Sequence, residues 1–408
     1  MFSPYDILFF NSQDSLLTSS IQSDYLIIEN SAQAISDLIR RKWLDNDFYG
    51  SLFNFIYDKN SIKLILGGTL NKYYGDHYGE VIWARNAGNS EIRHRYYDNY
   101  GNKEEFNLFS KLEYTFNDKL YAFLDLQNRN INYDAILIGG DNVNKSFNFF
   151  NPKAGIYYKL NTSNEFYFSF ARAHREPTRT DYENGNPYPE MLDDFELGWK
   201  YKGKKSIYNI NLYLMDYNDQ LVLTGERDDV GYYIRANVGE SYRAGIEFDG
   251  VFYIDDYFTI KPNISFSSNK NNDYLTQFDG SLQNFGKTDI SFSPNLIFGN
   301  SIEFKMKDKT LLFFNTKYVG KQYMSNTNVE SSVLASNLVK EFGMNHSFSI
   351  PGFSDDSELK LLINNLFNQK YESYGGHYFY DIDNKTYSGA YFYPMAEINF
   401  LIGLDFNF

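Results

Sequence analysis

"FLIGLDFNF", residues 400–408, alternates up to its last residue. Phe400, Ile402, Leu404, Phe406 and Phe408 are apolar, and Gly403, Asp405 and Asn407 fall between them, with Leu401 the one large apolar exception. Successive side chains of a strand point to opposite faces, so the pattern describes an extended segment with one apolar side and one polar side. Chain ends are ordinarily polar and frayed. A phenylalanine at the end of an alternating strand needs an apolar surface to meet. Extended backwards, the apolar face runs from Phe392 through Pro394, Ala396 and Ile398, with Tyr393, Glu397 and Asn399 opposite.

The same period recurs along the chain. In 257–268, Phe258, Ile260, Pro262, Ile264 and Phe266 oppose Thr259, Lys261, Asn263, Ser265 and Ser267. In 242–252, Tyr242, Ala244, Ile246, Phe248, Gly250 and Phe252 oppose Arg243, Gly245, Glu247 and Asp249. In 195–201, Phe195, Leu197, Trp199 and Tyr201 oppose Glu196, Gly198 and Lys200. Fifteen strands are predicted: 42–57, 61–70, 106–116, 119–130, 146–159, 165–173, 191–202, 206–217, 239–253, 257–268, 288–305, 310–323, 335–350, 358–371 and 391–408. The fold class is all-β.

The connections alternate in length. Short ones lie at 58–60, 117–118, 161–164, 203–205, 254–256, 306–309 and 352–357, and long ones at 71–105, 131–145, 174–190, 218–238, 269–287, 324–334 and 372–390. A sandwich has no reason to sort its loops in this way. A transmembrane antiparallel up-and-down β-barrel does, with tight turns on the periplasmic side and long loops outside. The apolar face would then meet lipid and the polar face would line a wide lumen.

Composition narrows the function classes. The chain has 37 Tyr and 37 Phe, an excess of rings suited to apolar surfaces with wet margins. Its net charge is −14, which argues against nucleic acid as a partner, because phosphate contacts need a clustered basic surface. There is no cysteine, so no disulfide framework, thiolate metal site or cysteine nucleophile. No apolar run reaches the roughly 20 residues of a spanning helix. The beginning, "MFSPYDILFFNSQDS", lacks a basic leader, and "ILFF" is too short for a signal peptide's apolar region. No G-x-S-x-G, P-loop or H-E-x-x-H is present, and no enzyme activity, cofactor or metal is expected.

Six stretches carry a family resemblance, in order. They are "FYFSFARAHREPTRTDY" (166–182), "MLDDFELGWKYKG" (191–203), "NLYLMDYNDQLVLTG" (211–225), "RANVGESYRAGIEFDG" (235–250), "INNLFNQKY" (363–371) and "YPMAEINFLIGLDFNF" (393–408). They resemble the C-terminal barrel of TonB-dependent outer-membrane receptors, in a Bacteroidetes-like version, from about residue 40 to the end. The resemblance implies the Gram-negative outer membrane and energy-coupled uptake of a bulky nutrient such as an iron chelate, cobalamin or a glycan. The implied partners are the lipid bilayer and lipopolysaccharide, the barrel-assembly machinery, a small-molecule or glycan ligand, and the TonB complex through a plug domain. Phe406 and Phe408 resemble the terminal signal that barrel assembly reads.

Family barrels have 22 strands. Counting back from an inward last strand, the 15–16 strands present would be the later ones, and the plug and signal peptide are not found. Residues 1–41 would be an extracellular loop, with part of a further strand near 20–29, and residues 42–408 the C-terminal part of the barrel. Two other readings remain open: a passive porin-like channel and a soluble all-β binding protein.

Ligand-binding candidates lie in the predicted loops. Tyr73, Tyr74, His77, Tyr78, Trp83 and Arg85 crowd residues 73–85, where rings could stack on a ligand or pack the loop itself. Arg172, Arg175 and Arg179 could meet an anionic ligand, and the default expectation is pairing with Glu176, Asp181 and Glu183. Of five histidines, His77, His94, His174 and His377 are placed in external loops and His346 on a strand; none shows metal-ligand spacing.

Overall fold

The computed structural model describes residues 8–9, 37–87, 90–137, 140–227, 233–278, 281–382 and 385–407. Fifteen of its strands form one continuous antiparallel ladder. They are β1 (Leu38–Lys59), β2 (Ile62–Ala84), β3 (Arg95–Asn117), β4 (Leu120–Ile136), β5 (Asn142–Asn161), β6 (Asn164–Arg175), β7 (Glu190–Lys202) and β8 (Ser206–Asn218). There follow β9 (Glu240–Tyr253), β10 (Phe258–Asn271), β11 (Leu296–Met306), β12 (Thr310–Val319), β13 (Asn337–Ile350), β14 (Ser354–Asn364) and β15 (Asn399–Asn407). Each pairs with its predecessor and its successor. Among the described residues, β15 pairs only with β14, and β1 pairs with β2 and with Leu8–Phe9. The two edge strands run in the same direction, so antiparallel closure takes an odd number of strands between them.

The register sorts side chains by chemistry. Phe168, Leu197 and Leu212 lie opposite one another on one face, and Ser169, Glu196 and Tyr213 on the other. Leu66, Leu108, Leu126, Phe150, Ile246, Phe266 and Ile302 continue the apolar face, and all are exposed. The buried apolar residues lie elsewhere. Val222, Val238, Tyr274 and Ile290 form one cluster and Leu137, Val143 and Tyr182 another, both among the long connections. Among the described residues no helix is long and apolar enough to span a membrane, and the ladder carries its apolar surface outward, where lipid can cover it. Rings gather on this face near the short turns: Trp199 meets Tyr208 edge-on at 5.3 Å, Phe258 lies 4.6 Å from Phe304, and Phe353 lies 5.5 Å from Phe406. Such a belt suits a membrane–water interface.

The short turns are closed by side chains. Asn117 accepts hydrogen bonds from the Lys119 and Leu120 amides, Asn161 from the Ser163 amide, and Asp255 from the Tyr257 and Phe258 amides. On the inner face, rings lie across glycines of the next strand. A Cβ on Gly198 would stand 1.9 Å from Tyr167 Cε1. Gly198→Val is therefore expected to cost about 1–3 kcal/mol through overpacking. Urea unfolding of refolded protein measures it, and adding Tyr167→Ala should recover part of the loss. No recovery would mean that the ring is not the obstacle.

Several expected boundaries are corrected. The long connection at 71–105 is mostly strand, since β2 runs to Ala84 and β3 begins at Arg95; pairing on both sides overrides the weak strand preference of Asn, Asp and Gly. Likewise β4 continues to Ile136, and the connections at 218–238 and 269–287 contain strand pairs, Leu221–Arg227 with Tyr233–Asn237 and Leu275–Phe278 with Ser281–Asn284. The strand expected at 288–305 breaks between Asp289 and Leu296, where Phe292 has φ 51° and Pro294 follows. The strand expected at 310–323 ends at Val319, and that at 358–371 starts at Ser354 and ends at Asn364, before Asn365 (φ 47°) and Asn368 (φ 52°). The closing pattern also divides. Lys385–Pro394 belongs to a hairpin with Glu372–Ile382, and β15 starts only at Asn399. The strand expected near 20–29 and the side chain of Phe408 lie outside the described residues.

Candidate functional site: the inner wall above the bilayer

A tilted strand crosses a bilayer in about 9–11 residues. β2 and β3 have 23 residues each. Counted from the short turns at 60–61 and 118–119, β2 beyond about residue 72 and β3 before about residue 106 stand above the lipid. The expected aromatic loop is therefore two-faced strand. Tyr73 and His77 point inward, and Tyr74 and Tyr78 outward.

The outward pair packs against neighbouring strands. Tyr74 stacks on Tyr100 at 6.2 Å, Tyr78 stacks on Trp43 at 6.2 Å, and the Arg95 guanidinium lies 3.6 Å over the Tyr78 ring. Trp83 is exposed beyond a bulge, and Arg85 pairs with Asp37 at 2.7 Å. These four residues do not join the inner wall.

Tyr73 and His77 do. Tyr73 donates to Asn46 Oδ1 at 2.6 Å, and burial raises its pKa against the opposing pull of Arg179. Burial first, then the nearby Arg179 charge, lowers the His77 pKa to about 4. His77 is therefore neutral at physiological pH. An unfolded histidine takes its proton near pH 6.5. Between that value and about 4 the unfolded chain holds more protons, so this residue makes stability fall as pH falls through that window. Urea midpoints at pH 7 and pH 5 should differ more for the wild type than for His77→Gln; equal shifts would sink the assignment.

Arg179 comes from the connection between β6 and β7. That segment holds a short helix, α1 (Arg179–Glu183), started by a capping box between Thr178 and Asp181. The segment folds back against β3 and β4. Arg179 donates to the Tyr100 carbonyl at 3.1 Å, to the Ile136 carbonyl at 2.6 Å and to Glu183 at 2.8 Å. Tyr182 is buried and stacks on Tyr133 at 6.0 Å. Glu176 takes Lys103 Nζ at 2.5 Å and Arg129 Nη2 at 3.4 Å, and Arg129 Nε donates to Glu105 at 2.9 Å. Desolvation opposes ionisation of Glu176, but the Lys103 hydrogen bond and the Lys103 and Arg129 charges hold its pKa below the ordinary value. At its far end the segment is clipped by Asn237, which accepts from the Tyr188 amide at 2.8 Å and donates to the Tyr188 carbonyl at 3.1 Å.

The other arginines separate. Arg172 makes a two-pronged pair with Asp193, at 2.7 and 2.5 Å, and Arg175 is exposed at the end of β6. His174 stacks on Phe149 at 5.0 Å and bonds Asn151, and His377 is buried in the Glu372–Ile382 strand beside Ser331. Both stand on strands, where loops were expected. Among the described residues no three metal-binding side chains come together. Lys103, Glu105, Arg129 and Tyr133 escaped notice in the sequence. Their signal was parity: all are odd-numbered on strands whose even positions are largely apolar at lipid depth.

Comparison with known proteins places this architecture. A family profile described as "TonB dependent receptor-like, beta-barrel" matches residues 5–394. No curated protein matches the chain. Solved structures do so at low identity. The siderophore receptor PiuA from Acinetobacter baumannii is 14% identical with TM-score 0.66, over 91% of this chain and 57% of its own. The ferric citrate transporter FecA in the unliganded form is 15% identical with TM-score 0.66, over 90% and 55%. The copper transporter OprC is 12% identical with TM-score 0.69, over 90% and 57%. The chain thus spans little more than half the length of these structures, and the likeness is one of fold.

Proposed function

The chain belongs to the TonB-dependent receptor β-barrel family, and on that premise we propose that it serves energy-coupled uptake of a bulky nutrient across the Gram-negative outer membrane. The nutrient would be an iron chelate, cobalamin or a glycan. An iron chelate is favoured, since PiuA is named a siderophore receptor and FecA a ferric citrate transporter. The observation that carries the proposal is the inner wall itself: polar, raised above the bilayer, and furnished with Tyr73, His77, Lys103 and Arg129 around one inward-folded segment that brings Glu176 and Arg179. Capture there would precede transport, and coupling to TonB would run through a plug domain. Residues 42–408 would form the C-terminal part of the barrel. Lipopolysaccharide would surround its outer half, and the barrel-assembly machinery would read the end of β15.

The test is a fluorescence titration of the refolded chain, which has 3 Trp and 37 Tyr, with a ferric chelate, cobalamin and an oligosaccharide in turn. Saturable quenching by one class and not the others is expected. Steady ion conductance in planar bilayers with no saturable ligand would overturn the proposal.

A further inference from the structure

The two cations that hold Glu176 belong to the wall, while Glu176 belongs to the segment laid over it. Lys103 stands on β3 and Arg129 on β4, both facing inward, with Glu105 as the one wall carboxylate in contact among the described residues. The wall therefore brings two positive groups and one negative group, and the segment completes the balance with a carboxylate that is only 16% exposed. Arg129 reaches both Glu176 oxygens at 3.4 Å while Lys103 holds one of them at 2.5 Å. Glu105 alone leaves the pair of cations short of one anion.

We infer that Lys103 and Arg129 form a carboxylate-binding site on the inner wall, occupied by the chain's own Glu176 until a ligand carboxylate displaces it. The inference rests on the proposed uptake function and names the ligand chemistry: a nutrient or chelate that presents carboxylates. Displacing Glu176 costs no net charge, because one carboxylate replaces another on the same donors. It frees the near end of the segment, whose remaining hold on the wall is Arg179 on two carbonyls and Tyr182 on Tyr133, Leu137 and Val143. Occupancy by ligand is thereby coupled to opening of residues 176–189, since any ligand that binds only the open form shifts the population toward it.

The Arg179–Thr180 bond reports this opening. Arg179 is held against the wall, so trypsin reaches it only when the segment lifts, and the cleavage rate follows the open population. The experiment uses the full refolded chain and tricarballylate as probe, with sodium chloride at equal ionic strength as the control. Tricarballylate should raise cleavage at this bond saturably, and chloride should not. Glu176→Gln should raise basal cleavage about tenfold, the worth of one charge-assisted hydrogen bond. It should also bind tricarballylate more tightly by calorimetry, because the internal competitor is gone. Arg129→Gln should bind no probe. Equal effects of chloride and tricarballylate, or a wild type and a Glu176→Gln variant that both give no calorimetric signal, would overturn the inference. The titration with whole nutrients is a separate readout. If tricarballylate binds but no nutrient does, the uptake proposal falls and the site stands; if a nutrient binds and Glu176→Gln leaves its affinity unchanged, the site falls and the uptake proposal stands.

Discussion

Leu197→Arg is expected to destabilise the folded chain in lipid vesicles by about 3 kcal/mol, the cost of a guanidinium near the middle of a bilayer on the outside of a barrel. Leu197 sits about midway along the membrane-crossing part of β7, opposite Phe168 and Leu212, and all three are exposed on the protein surface. In water such a substitution on an exposed leucine would cost within about 0.5 kcal/mol. In lipid it removes an apolar contact and buries a charge. Glu196→Gln, one residue away on the inner face, should change stability by no more than about 0.5 kcal/mol. The comparison is a pair of urea titrations in vesicles. Equal midpoints for the two variants would remove the lipid from the apolar face.

Arg129→Leu is the second large effect. The substitution leaves Glu105 and Glu176 facing each other with Lys103 alone to offset them. Removing one partner of a fully buried ion pair costs about 3–5 kcal/mol. Here the side chains keep about a fifth of their exposure, so water screens the remaining charge and about 2–3 kcal/mol is expected. The partners sort the loss. Adding Glu105→Leu should restore part of the stability, and a double variant as unstable as the single one would show that the wall pair contributes little.

Much of the sheet was legible because lipid imposes a simple code. Where a strand lies at bilayer depth, every second residue must be apolar, and Phe195, Leu197 and Trp199 or Ile260, Ile264 and Phe266 declare it openly. The short turns at 117–118, 161–164 and 254–256 were legible too, and Asn117, Asn161 and Asp255 are the side chains that close them. Above the bilayer the code lapses. Water meets both faces there, so "NKYYGDHYGEV" carries no period-two signal and resembles a loop, although β2 passes straight through it. The strand ends failed for a different reason. At 395–398 an apolar alternation continues through a real break, and at 365–371 Asn365, whose side-chain amide donates to the Gln369 carbonyl, ends the strand.

The inner wall was half legible. Sequence proximity grouped Tyr73, Tyr74, His77 and Tyr78, and the pleat then separated them two and two. Lys103, Arg129 and Glu176 lie on three elements, two joined by strand register and the third by the fold-back of the segment after β6. Of the three candidate arginines, two behave differently from what an anion-binding row requires. Arg172 is committed to Asp193, and Arg179 is committed to backbone carbonyls and to Glu183, one of its expected local acids.

A chain without cysteine offers a direct measurement of the two-faced sheet. Single cysteines placed at each position from 193 to 200 along β7, labelled with an environment-sensitive fluorophore in refolded vesicles, report the polarity met by each side chain. Emission should alternate with period two, blue-shifted at 195, 197 and 199 and aqueous at 194, 196 and 198, and lipid-borne quenchers should reach only the first set. Uniform aqueous emission along the strand, or quenching at both sets, would contradict a barrel wall between lipid and lumen.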